Sequence, residues 1–129
     1  MTNKIDGLAK FAAPLGRVLM AAIFISAGMS KITGYAGTQA YMEAFGIPGI
    51  LLPLVIAVEI GGGLALAVGF QTRIAALLLA GFSISSAIVF HANFADQIQS
   101  IMFMKNLAIA GGLLMVVAHG AGQLAIDKK

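Results

Sequence analysis

Residues 50–70 read ILLPLVIAVEIGGGLALAVGF, and Glu59 is the only ionisable side chain among them. A helix of roughly 20 apolar residues crosses the hydrocarbon core of a bilayer, so this stretch predicts a membrane span. A charge at the centre of such a span costs about 2.5–3.5 kcal/mol on insertion scales. Glu59 therefore needs a partner or a function, and the rest of the chain has to supply one.

The composition of the whole chain is that of an integral membrane protein. Its 129 residues are 60% hydrophobic and 10% charged, whereas soluble domains carry about 25% charged residues. We expect a single membrane domain over residues 1–129. The absence of cysteine excludes iron–sulfur ligation and thiolate catalysis. The net charge of +3 is dispersed rather than gathered in a basic run, so it predicts orientation in a bilayer and no nucleic-acid partner.

Four segments are apolar enough to predict spanning helices. They are residues 11–29, 50–70, 74–90 and 101–118. The first resembles a secretory signal, but Arg17 inside its apolar stretch favours a helix that is retained. The expected fold is an all-α four-helix bundle in the membrane.

The connections between the spans differ in length. Residues 71–73 predict a tight hairpin in which Thr72 caps the following helix. The connection over residues 30–49 carries Tyr41 and Phe45 four residues apart, which fits either a short interfacial helix or an ordered loop.

Basic residues predict the orientation of the bundle. Four spans put both termini on one side, and the excess of basic residues on that side places it in the cytoplasm and the longer loops outside, in the periplasm of a Gram-negative bacterium. The basic residues on the terminal side are Lys4, Lys10, Arg73, Lys128 and Lys129, against Lys31 on the other.

Arg17, Phe24, Gly28 and Lys31 lie along one stripe of the first predicted helix. Two interpretations of its basic ends are open. Arg17 and Lys31 snorkel to the two headgroup regions, or Arg17 turns inward as a counter-ion or an anion-binding group.

Glu59 precedes three glycines, residues 61–63. Each glycine costs a helix about 1 kcal/mol relative to alanine, so close helix packing, or a cavity beside the carboxylate, has to offset them. At 1.5 Å per residue, Glu59 lies about 7–8 Å along the bundle axis from both Arg17 and Lys105. Either cation is within reach of the carboxylate.

The last predicted span and the histidines complete the candidate set. Lys105 either snorkels outward or joins the site, while Asn106 fits a hydrogen bond between helices. His91 and His119 fall on opposite sides of the bilayer and cannot ligate one haem, and no metal-binding cluster is found. The candidate residues for a ligand site or an intramembrane polar cluster are Arg17, Glu59, His91, Lys105 and Asn106.

The chain resembles the DoxX family of small bacterial inner-membrane proteins from Arg17 onward. The matching positions are Arg17, Phe24, Gly28, Lys31, Glu59, Gly62, Gly63, Leu66, Gly69, Arg73, His91, Lys105, Asn106, Leu107, Gly120, Gly122, Leu124 and Asp127. Ala121 and Ala125 depart from the proline and serine expected there. The resemblance implies a four-helix membrane protein linked to quinone-dependent oxidation through the related DoxD subunits, and to oxidative stress.

Three functions fit these observations. The first is a redox-associated membrane protein that binds a quinone or similar small apolar ligand between its helices and receives electrons from a partner protein, because the chain has no catalytic constellation of its own. The second is a membrane scaffold or assembly factor. The third is an oligomeric transporter of a small solute, coupled to protons through Glu59.

Overall fold

The computed structural model describes the backbone of residues 3–122 and 124–127, and the side chains from residue 7 onward within those ranges. Helix dominates this part of the chain, and no strand occurs in it. The helices are α1 (Asn3–Thr33), α2 (Tyr35–Ala44), α3 (Gly49–Val68), α4 (Thr72–Phe90) and α5 (Gln97–His119). Lys128 and Lys129, on which the predicted orientation partly depends, lie outside the described residues.

Helices α1, α3, α4 and α5 are each long and apolar enough to cross a membrane. Their outward faces carry large apolar side chains such as Leu15, Leu19, Leu77 and Met115, which a water-exposed surface would not present in this density. The all-α membrane bundle predicted from the sequence is confirmed. We call the end where α1 begins and α5 finishes the terminal end, and the opposite end, where α2 lies, the loop end.

The centre of the bundle is built from small residues and leucines. The closest helix pairs are α4 with α5 and α1 with α3, and alanine at the contacts lets the backbones approach. Buried members from all four spans include Ala21, Leu66, Leu79, Ala80 and Leu113.

The glycine run of α3 serves packing at two of its three positions. A Cβ on Gly62 would lie 3.1 Å from the Leu79 side chain, and one on Gly63 would lie 2.8 Å from Ile25. A Cβ on Gly61 would meet nothing within 4 Å. The helix propensity lost at Gly62 and Gly63 is thus offset by close contact with α4 and α1.

Helix α3 is irregular along its length. It opens with a 3₁₀ turn, Gly49–Leu51, and continues through Leu52–Ile56 into a π-helical turn, Ala57–Gly61, before Gly62–Val68 resumes the α form. Single π turns inside α-helices are frequent at functional sites. Glu59 is the middle residue of this turn.

The hairpin between α3 and α4 is tight, as predicted, but the threonine cap was wrong. Gly69 ends α3 with a φ of +73°, and Thr72 is already the first residue of α4. The capping carboxylate comes from Asp127 in the C-terminal tail, which accepts hydrogen bonds from the backbone N–H groups of Gln71 and Thr72 at 2.8 and 2.7 Å. A sequence-local pattern cannot reveal a cap that arrives from 55 residues away.

The first connection contains a helix. Helix α2 covers the loop end, where Gln39 Nε2 donates to the carbonyl of Gly49 at 3.1 Å. The rings of Tyr41 and Phe45 pack on Phe90 of α4, with centroids 5.4 and 5.0 Å away. Of the two interpretations open for residues 30–49, the structure has the short helix.

Candidate functional site

A partly enclosed cavity of about 490 Å³ lies between the helices in the loop-end half of the bundle. Its walls are mostly apolar side chains such as Phe24, Val55 and Phe82. A smaller polar set also lines it: Lys31, Thr38, Tyr41, Glu59, Ser83, Ser85, Ser86, His91 and Asn106.

Glu59 pairs with Lys31. The Lys31 Nζ atom lies 2.9 Å from Glu59 Oε1, and the two side chains are 27% and 4% exposed. Oε1 is fully buried, and the Lys31 ammonium is its partner among the described residues. The carboxylate's partner is thus neither Arg17 nor Lys105, the two cations considered from the sequence.

The direction of helical side chains explains this choice of partner. Side chains on an α-helix lean toward its N-terminus. Helix α1 runs from the terminal end to the loop end and α3 runs back, so Lys31 leans inward while Glu59 leans toward it. Arg17 leans toward the terminal end, and Lys105 on α5 leans toward the loop end. Arg17 therefore points away from Glu59, whereas Lys105 lies on an exposed face of α5.

Gly28 allows the two helices to meet at the ion pair. A Cβ at this position would collide with the Ile60 side chain and would lie 3.4 Å from Glu59 Cβ. Gly28 is three residues before Lys31 and so shares its face of α1. The stripe of α1 that holds Gly28 and Lys31 is therefore a contact surface for α3. Lys31, at the end of this surface, pairs with Glu59 and does not snorkel to the headgroups.

Arg17 faces inward but at the terminal end of the bundle. It is 2% exposed. Its Nε donates to the carbonyl of Ala121 at 2.9 Å, Nη1 to those of Leu66 and Ala67 at 3.2 and 2.9 Å, and Nη2 to that of Leu124 at 2.9 Å. Two of these carbonyls belong to the last turn of α3, where a cation is favoured by the helix dipole. Arg17 thus joins α3 to the C-terminal tail.

The other candidate residues also divide into those that line the cavity and those that do not. Asn106 is half-buried and lines the cavity, whereas its neighbour Lys105 is exposed and does not. His91 lines the cavity with one edge, while its Nδ1 lies 2.8 Å from Oε1 of Gln99. The structure brings Glu59, His91 and Asn106 to one cavity and leaves Arg17 and Lys105 outside it.

Sequence reasoning missed several residues of the cavity. Lys31 was not considered as the partner of Glu59, and the three serines of α4, Ser83, Ser85 and Ser86, were not considered. The signal was present, since the run FSISS breaks an otherwise apolar span. Ser83 is buried.

The ion pair sets the electrostatics of the site. Lys31 and Glu59 are the only Lys, Arg, Asp or Glu residues that line the cavity in the described part of the chain, and their charges cancel. No group of three metal-ligating side chains converges in the described residues. This arrangement suits a small uncharged molecule with an apolar body and one or two polar atoms.

Comparison with known proteins gives matches along most of the chain. The family model DoxX matches residues 12–92. The chain is 56% identical to the inner membrane protein YqjF of Escherichia coli over 114 residues, which is 88% of each chain. It is 31% identical to the inner membrane protein YphA of the same organism over 122 residues, or 89% of this chain and 87% of the relative.

One shorter match is to a protein whose name refers to an activity. Over 64 residues the chain is 34% identical to CatD of Bacillus subtilis, provisionally described as an oxidoreductase; the match covers 50% of this chain and 48% of CatD. No solved structure matches the chain significantly. With four apolar helices and inner-membrane relatives, the chain is a multi-pass protein of the bacterial inner membrane.

Proposed function

Because the chain belongs to the DoxX family, we propose that it is a redox-associated inner-membrane protein that binds a quinone, or a similar small apolar molecule, between its helices. The observation that carries this proposal is the cavity beside the Lys31–Glu59 ion pair. Its volume of about 490 Å³ lies within the range of small-molecule sites. Apolar walls with a few converging polar groups fit a substituted ring with polar atoms at its edge.

The position of the cavity also supports a membrane-soluble ligand. Ile23 of α1 and Met102 of α5 line the cavity and are 51% and 39% exposed. Side chains that are themselves accessible therefore form part of the cavity wall, which supports entry of a molecule dissolved in the bilayer.

Electron transfer requires a second component. The chain contains no cysteine, and its described residues hold no cluster of metal ligands. We therefore propose that the chain acts as one subunit beside a redox partner protein or a further copy of itself. The match to CatD supports an oxidoreductase system as the setting.

We further propose that both termini face the cytoplasm, as the basic residues of the sequence favour. Lys10 and Arg73 then lie on the cytoplasmic side and Lys31 near the other. The loop end, with the cavity and α2, would face the periplasm. Cysteine labelling of single-cysteine variants at Gly37 and Gly7 in intact cells tests this directly.

The binding proposal is tested by filling the cavity. Ala27 lines it, whereas Ala22 lies on the exposed side of the same helix. In lipid nanodiscs, the wild-type protein should bind ubiquinone-1, Ala27→Phe should lose that binding, and Ala22→Phe should retain it. Lipid extracts of the purified wild-type protein should also be enriched in quinone. No enrichment together with no measurable titration would remove the proposal.

A scaffold or assembly role is the second candidate, and the direct Lys31–Glu59 contact favours it. An ion pair that satisfies itself can serve helix packing alone. In that case Glu59→Gln would lower the stability of the bundle while no quinone binding is detected in the wild-type protein.

A further inference from the structure

We propose that the cavity prefers a neutral molecule that presents a hydroxyl group to the Lys31–Glu59 pair, so that the reduced, hydroquinone form of a quinone binds more tightly than the oxidised form. This inference rests on the proposed function and names the form of the ligand that the site selects.

The charge of the walls favours a neutral occupant. Lys31 and Glu59 neutralise each other at 2.9 Å. A ligand with a net charge would leave water for an apolar cavity without gaining a free counter-ion, which is unfavourable. Carboxylate and quaternary ammonium ligands are therefore disfavoured.

Glu59 favours an occupant that donates a hydrogen bond. A carboxylate only accepts hydrogen bonds and has about four positions for them. Lys31 occupies one of these positions, with its Nζ atom 2.9 Å from Oε1, and no other hydrogen bond to the Glu59 side chain is found among the described residues, while this side chain lines the cavity. An occupant that donates to this carboxylate would fill an acceptor that the protein itself leaves incompletely satisfied.

Lys31 favours an occupant that accepts a hydrogen bond. Its ammonium group is a donor with three hydrogens and accepts none. A hydroxyl placed beside the pair donates its hydrogen to Glu59 and accepts one from Lys31. A quinone carbonyl can accept from Lys31, but its lone pairs would face the carboxylate.

The rest of the wall does not distinguish the two forms. Ser83, Ser86 and Asn106 line the same cavity. Hydroxyl and amide groups both donate and accept, so they can bind a distal oxygen whether it is a carbonyl or a hydroxyl. Selectivity between the two forms is thus assigned to Glu59. One hydrogen bond to a charged acceptor corresponds to roughly tenfold or more in affinity.

The test compares three ligands that share one ring. Ubiquinone-1, its reduced form ubiquinol-1 and the dimethyl ether of ubiquinol-1 are titrated anaerobically into the wild-type protein in nanodiscs. We expect ubiquinol-1 to bind at least about tenfold more tightly than ubiquinone-1. The ether, which has the oxygens but no O–H, should bind no better than the quinone. This comparison needs no variant.

A substitution then assigns the preference to the carboxylate. Glu59→Gln replaces one carboxylate oxygen by an NH₂ donor, so the preference for ubiquinol-1 should disappear or reverse. Glu43→Gln is the matched control, because Glu43 is exposed on α2 and does not line the cavity. It should keep the preference.

Each outcome decides between the two proposals. Equal affinity for the three ligands, or an unchanged preference in Glu59→Gln, would overturn this inference while leaving quinone binding in place. Equal affinities would mean that water already meets the hydrogen-bonding needs of Glu59, whereas an unchanged preference in Glu59→Gln would assign the preference to another residue of the wall. Failure of all three ligands to bind would remove the proposed function and this inference with it.

Discussion

The carboxylate of Asp127 holds the first residue of α4 by two hydrogen bonds, one from the backbone N–H of Thr72 at 2.7 Å and one from its hydroxyl at 2.6 Å. Backbone bonds from Ile126 to Val68 and from Asp127 to Gly69, at 3.0 and 2.7 Å, lay the tail against the end of α3. The tail is therefore hydrogen-bonded to both helices of the hairpin, at the end of α3 and at the start of α4.

This cap predicts an acid-dependent loss of stability. Hydrogen bonds from the Thr72 side chain and backbone lower the pKa of Asp127 below its ordinary value of 3.8. A lowered folded-state pKa gives stability that is present above the unfolded value and lost as the pH falls through the folded one. Thermal unfolding should therefore show wild type and Asp127→Asn converging below about pH 4, with wild type more stable at pH 7. A constant difference across that range would contradict the assignment.

Arg17 should be irreplaceable by lysine. An arginine has five donors in a rigid fork, whereas lysine offers a single ammonium that cannot reach four carbonyls at once. Each lost hydrogen bond to a charged group is worth roughly 1.5–3 kcal/mol. We expect Arg17→Lys to lower the unfolding temperature and to expose the tail to carboxypeptidase, with Lys10→Arg as a silent control. A protected tail in Arg17→Lys would show that charge alone suffices.

Removal of Lys31 and removal of Glu59 should lower the stability of the protein by different amounts. Lys31 is 27% exposed and can turn to water, whereas Glu59 is 4% exposed and cannot. Lys31→Met leaves a buried carboxylate without a partner, a loss of about 3–5 kcal/mol, and Glu59→Gln should be milder. The double variant Lys31→Met/Glu59→Gln should recover most of the loss. Chemical unfolding in detergent measures all three, and additive losses would argue against a coupled pair.

Gly28 should tolerate no side chain. A Cβ there would collide with the side chain of Ile60, the residue that follows Glu59 on α3. Overpacking of this kind typically costs 1–3 kcal/mol, so Gly28→Ala should be destabilising by about that amount. Gly16→Ala on the same helix, where a Cβ meets nothing within 4 Å, should be neutral or stabilising. Equal effects at both sites would mean that α1 and α3 are not in contact as described.

Hydropathy was sufficient for the four spans because apolar length alone determines them. Sequence did not predict the contacts of Glu59. The estimated distance along the bundle axis was the same for Arg17 and Lys105, and it did not say in which direction each side chain points. Adding the lean of helical side chains would have excluded Arg17 as the partner, whereas the exposed position of Lys105 follows only from how α5 packs. The role of Asp127 was beyond any local pattern, because its partners Gln71 and Thr72 lie 56 and 55 residues earlier in the chain.

The bonds of Arg17 also impose an order on assembly in the membrane. Its partners on α3 lie 49 and 50 residues later in the chain, and Ala121 lies 104 residues later. During synthesis the first span therefore enters the bilayer with a guanidinium whose final acceptors do not yet exist. Water or headgroups must hold that charge until the last helix has been inserted. Closure of the terminal end is consequently a late event, and a chain that lacks its tail would leave the Arg17 guanidinium without the carbonyls of Ala121 and Leu124.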